Sequence, residues 1–193
     1  MAFVPAFGHQ PAHARPLIDA ALQHTWHGVS PMVRSWLHCV ASEVEARAGA
    51  AADSRRHIDL AAGAVDGDGT PPEWLDFYDN GRLHSFVGYA ALASGDHSEA
   101  ASELNQALAG LTATGAKQRS VVLADLATAH GSDGDRVADY LNQAVDALQT
   151  DWYGVGLDRV RVVRPMLGDS RHGTLLDERV AALTAGRAAL PGN

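Results

Sequence analysis

Leu37, Val40, Ala41 and Val44 stand at i, i+3, i+4 and i+7 in the segment that opens Pro31-Met32-Val33-Arg34. That spacing places all four on one stripe of an α-helix. The stripe returns 46 residues later (37 to 83, 40 to 86) as Leu83, Phe86, Val87 and Ala90. It returns again as Leu123, Leu126, Ala127 and His130, with one polar member. Gly49 and Gly95 follow the first two stripes at the same distance. Each is placed to end a helix in the left-handed conformation that a Cβ resists. A second amphipathic helix follows each glycine, through Ser54, Ile58, Ala61 and Ala62, then through Ala100, Leu104, Ala107 and Leu108. Related sets are Ala14, Ile18, Ala21 and Leu22 before them, and Val137, Leu141, Ala144 and Val145 after them. Small residues at these places let two helix axes approach closely. The pattern predicts an all-α chain of helix pairs.

Further along, Leu157, Val160 and Val163 predict another first helix after Gly154 and Gly156. Thr174 is the expected N-cap of a last helix through Leu175, Leu176, Val180 and Leu183. Residues 63–72 are rich in Gly, Asp and Pro and predict a loop. A short helix from Pro72 to Tyr78 then packs Trp74 and Phe77 over the space between pairs.

Composition agrees with helix. Hydrophobic residues make up 46% and aromatics 6%, with no alternating run of β-branched residues to suggest a strand. The net charge of −8 with a single lysine, Lys117, argues against direct nucleic-acid binding. One cysteine, Cys39, permits no internal disulfide and no thiolate-rich zinc site. No apolar run reaches the ~20 residues of a membrane span, and the start lacks a basic region followed by an apolar one. A cytoplasmic protein with no membrane association is expected.

The run Leu83-His84-Ser85-Phe86-Val87-Gly88-Tyr89-Ala90, then Gly95-Asp96, then Ala100, Leu104, Ala107 and Leu108, resembles a tetratricopeptide repeat. Ser30-Pro31 with Arg34 and Trp36-Leu37, and the insert Pro72-Glu73-Trp74-Leu75-Asp76-Phe77-Tyr78, narrow the likeness. They resemble the C-terminal halves of actinobacterial helix-turn-helix (XRE-type) regulators. The resemblance implies a TPR-like superhelix of antiparallel helix pairs, an α-solenoid, over residues 11–193, preceded by a flexible leader at 1–10. The family's repeat is about 34 residues, so the longer spacing here carries the 63–80 insert. The first helix, expected from Ala12 to His27, matches a second helix of a repeat. Its partner is expected upstream of Met1 or within residues 2–8, and in such regulators a DNA-binding head would precede it.

The resemblance also implies where a ligand sits. First-helix positions line the concave groove: Ser35, His38, Ser42 and Glu45 from one repeat, Gly81, His84, Gly88 and Ala91 from the next, and Ala124 and Thr128 from the third. The candidate ligand-binding set is Ser35, His38, Ser42, Glu45, His84, Gly88 and Thr128. Other polar residues read as ordinary. His24 and His27 at i, i+3 lack a third ligand, and His57, His97 and His172 read as solvated. Asp66-Gly67-Asp68-Gly69 lacks the spacing and closing Glu of a calcium loop. Arg161 and Arg164, able in principle to clasp an anion, read as a solvated face beside Arg159. Cys39 and its neighbour His38 point about 100° apart on a helix, so they do not form a thiol–imidazole pair. No Gly-x-Ser-x-Gly, P-loop or His-Glu-x-x-His is present.

These features lead to an expected function without catalysis, metal or cofactor. The chain would be the ligand-sensing or protein-interaction module of a bacterial transcriptional regulator. It would bind a peptide, small molecule or protein, or pair with a second copy of itself. The competing expectations are a stand-alone scaffold docking a partner, and a small helical enzyme using His38, His84 and Glu45.

Overall fold

The computed structural model describes residues 10–25, 28–65, 67, 70–112 and 114–188. Among these there are nine α-helices and no strand. In chain order they are α1 (Pro11–His24), α2 (Pro31–Arg47), α3 (Ala51–Val65), α4 (Asn80–Ala93) and α5 (His97–Gly110). They continue with α6 (Ala116–Ala129), α7 (Gly134–Thr150), α8 (Gly154–Val163) and α9 (Arg171–Ala188). Short 3-10 turns lie at Glu73–Leu75 and Arg164–Leu167. The chain forms two compact units, divided between Gly110 and Leu111.

In the first unit, α2 packs on α3 and α4 on α5 as hairpins, with α1 laid against α2. The two hairpin turns are the same object. Gly49 and Gly95 have φ of 75° and 76°. The Gly49 amide donates to Ala46 O and the Ala50 amide reaches back to Glu45 O. The Gly95 and Asp96 amides do the same to Leu92 O and Ala91 O. This six-to-one closure satisfies the last carbonyls of each first helix and fixes the direction of the second.

The predicted stripes form the core. Val40, Ala41, Val44, Phe86 and Ala90 are buried, as are Ile58, Ala61, Leu104 and Ala107 from the second helices. Leu37 and Val87 are only half-buried, at the edge of the seam. Ser30 and Asp79 cap α2 and α4 through their side chains, accepting from the Val33 and Arg82 amides.

The 70–79 segment departs from expectation. It holds one 3-10 turn rather than a helix to Tyr78, and Leu75 and Tyr78, not Trp74 and Phe77, enter the core. Residues three apart share a side in such a turn. Leu75 and Tyr78 therefore go in together. Trp74 and Phe77 stay about half exposed, each meeting the edge of Trp36 at 6.1 and 5.7 Å between ring centroids.

In the second unit α6 and α7 form a third hairpin, and α8 packs on both. Leu123, Leu126 and Ala127 meet Val137, Leu141, Ala144 and Val145 in its buried interior. His130 is half-buried and stacks on Tyr140 at 5.6 Å. Two local expectations change. Gly156 lies inside α8, not in a turn, and it is a glycine because a Cβ there would stand 2.1 Å from Ser120 Oγ. Thr174 lies within α9, and Ser170 instead supplies the terminal oxygen, accepting from the Gly173 amide at 3.2 Å.

Candidate functional site

The expected groove residues on α2 form a line at successive turns, His38, Ser42 and Glu45, and each already has a partner. His38 Nδ1 meets His57 Nδ1 at 3.1 Å, one nitrogen donating and the other accepting. The Ser42 hydroxyl meets that of Ser54 at 2.9 Å. Glu45 accepts two hydrogen bonds from the Arg15 guanidinium, at 2.8 and 2.7 Å. Helix α3 supplies the first two partners and α1 the third. Ser42 is 1% exposed, and Ser35, bonded to the Tyr78 hydroxyl at 2.7 Å, is wholly buried. Neither presents an atom to solvent. The cause is coverage: α1 and α3 flank α2, and the inserted Tyr78 fills the space beside Ser35.

The same register continues 46 residues on. His84 Nδ1 meets a Glu103 carboxylate oxygen at 2.7 Å, which is the His38–His57 geometry with 38 replaced by 84 and 57 by 103. Gly88 is buried and occupies the place of Ser42, where a Cβ would stand 2.6 Å from Leu104 Cγ. His38 and His84 thus pair with their own second helices. Thr128 belongs to the second unit, half-buried, with its hydroxyl donating to Ala124 O of its own helix.

Of the expected residues, His38 lines an open cavity. A cleft of about 360 Å³ is bounded by Leu22 and Thr25 at the end of α1 and by Arg34 and His38 on α2. Thr25 is buried and its hydroxyl donates to Leu22 O. Arg34 is exposed, one turn before His38 on the same face. Burial first, then His57, Arg34 and Arg56, hold the His38 imidazole down at about 4. His57 is lowered too, by burial and then Arg56, against the opposing pull of Glu45, Asp53 and Asp19. Both rings are therefore neutral near pH 7.

Sequence reasoning missed His57, which is half-buried and bonded rather than solvated. Its offset from Glu103 equals the repeat spacing and could have found it. The role of Arg34 was masked by its use as a family marker. Leu22 was read purely as core.

Cys39 is buried against the Tyr78 hydroxyl at 3.2 Å, and burial pushes its thiol up to about 12. It is an inert packing residue in this state. The arginines of α8 and beyond are engaged singly. Arg159 is buried beside Asp125 at 3.7 Å, Arg161 reaches Asp158 at 3.9 Å, and Arg164 grips Asp177 at 2.9 and 2.6 Å. His172 meets Asp135 at 3.1 Å. His27, Asp66, Asp68 and residues 1–9 of the leader lie outside the described residues. Among the described residues, no three His, Cys, Asp or Glu side chains gather to hold a metal ion, and no helix is long and apolar enough to cross a membrane.

No family model, curated protein or solved structure matches the chain.

Proposed function

We propose that this chain is a non-catalytic recognition module of TPR-like helix pairs, holding a small ligand in the cleft between α1 and α2. The observation that carries the reading is the cleft itself. It measures about 360 Å³, is walled by Leu22, and offers two polar groups, on Arg34 and His38. Ligand sites are concave, and a few convergent polar groups orient what they hold. The regular 46-residue register of the first unit supports the TPR-like assignment. With it comes the role of sensing domain in a bacterial transcriptional regulator. A ligand acts in such a domain only if it binds two arrangements of the helices unequally.

Fragment screening by protein-observed NMR tests the proposal. Compounds that bind should move the Thr25 and His38 resonances. His38→Trp, which fills the cleft, should abolish those shifts. A screen in which no compound perturbs either residue, or in which His38→Trp binds as the parent does, removes the cleft as a ligand site. Tight binding of DNA by the isolated chain at moderate salt would contradict the sensing role.

A further inference from the structure

Most arginines of the first unit are engaged by carboxylates. Arg15 holds Glu45, Arg47 holds Glu43, Arg55 holds Glu99 and Arg56 holds Asp53. Arg82 lies over the Phe86 ring at 5.7 Å. Arg34 has no carboxylate partner among the described residues. It stands at the cleft, and no acid is among the described residues that line it. The groups that carry charge at neutral pH and act on His38 are both arginines: Arg34 on its own helix and Arg56 on α3. From α1 the cleft receives Leu22 and Thr25, and the acid of that helix, Asp19, acts on His57. The chain carries a net charge of −8, yet this cavity has a positive wall. Distant acids are screened over about 8 Å at physiological salt, so the local guanidinium decides what enters.

We propose that the cleft binds a small monocarboxylate with a short apolar tail, its carboxylate held by Arg34 and its tail laid against Leu22; this rests on the cleft being the ligand site. A guanidinium presents paired N–H donors that match a carboxylate, a geometry a lysine ammonium lacks. His38 adds a second contact. When His57 donates from Nδ1, His38 accepts at Nδ1 and carries its own proton on Nε2, free to donate to the ligand. Because that imidazole is neutral, the arginine supplies the only full positive charge lining the described cleft.

Hexanoate and its uncharged amide, hexanamide, test this when titrated separately into the isotope-labelled full chain at neutral pH. The Thr25 and His38 resonances report the cleft, and the titrations are repeated with Arg34→Gln. Arg34 is exposed, so the variant is expected to keep the parent's thermal midpoint. The expected result is saturable hexanoate binding at the cleft, with the amide at least about tenfold weaker and Arg34→Gln costing about tenfold. Bound hexanoate should also raise the His38 pKa from about 4, because it cancels the positive field there. Equal affinity for the amide, or unchanged binding by Arg34→Gln, overturns the carboxylate proposal and leaves the cleft as a site for neutral ligands. If neither probe moves Thr25 or His38, this proposal falls. Failure of the wider fragment screen as well would take the cleft reading with it.

Discussion

At equivalent places the α2–α3 and α4–α5 hairpins hold different chemistry on one frame. His38 faces His57 where His84 faces Glu103, and Ser42 bonds Ser54 where Gly88 makes room for Leu104. The turns that set the frame are alike down to their glycine φ and their capping bonds. The frame therefore depends on the small and apolar positions, and the polar positions are free to diverge. In α2–α3 the divergence yields a neutral imidazole pair beside Arg34, which has no carboxylate partner among the described residues. In α4–α5 it yields a histidine tied to a carboxylate.

The comparison breaks most sharply at Leu104. Leu104→Ala should cost about 2–5 kcal/mol in denaturant unfolding, since a fully buried side chain leaves a cavity. Gly88→Ala should cost about 1–3 kcal/mol by overpacking. Much of that should vanish in the Leu104→Ala background, where the clashing atoms are gone. Full additivity would show that the two residues do not share the space.

Where the hairpins are alike, equal effects are expected. Gly49→Ala and Gly95→Ala should each destabilise by about 1–2 kcal/mol, since both force a Cβ into the left-handed region. A large difference between them would mean that the turns are not equivalent. A double-mutant cycle on Ser42→Ala and Ser54→Ala should return a coupling of about 0.5–1.5 kcal/mol, with each single variant worse than half the double.

The effect of pH is the most specific. In the folded chain His38 and His57 titrate below the ordinary histidine range, so as pH falls below about 6.5 the unfolded chain binds protons first. Stability present above that pH is lost as the pH drops toward the folded His38 value of about 4. His57→Glu copies the His84–Glu103 arrangement. It should raise the His38 pKa and shrink this loss, as read by imidazole NMR and by urea midpoints between about pH 7 and pH 4.5.

The seams were legible because periodicity alone places Val40, Val44, Phe86 and Leu104 on inward faces, and Gly49 and Gly95 announce their turns. The site was less legible. Ser35 and Ser42 look available on an isolated helix, and they are buried because Tyr78 comes to rest on the first and Ser54 of α3 on the second. No spacing rule states where a loop residue such as Tyr78 will land. His38 was visible as a candidate, whereas its setting depends on Arg34 and on the end of α1, which arrive through packing. His57 was readable in principle, since its offset from Glu103 is that of the two helices.

Tyr78 closes over Cys39 from a segment that sends Tyr78 and Leu75 into the core and rests Trp74 and Phe77 on Trp36. The lone thiol is thereby a timer for that segment's detachment. Partial openings expose different regions at different free-energy cost. A disulfide reagent in native buffer should accordingly modify Cys39 at a rate set by the lifting of the plug, well ahead of whole-chain melting.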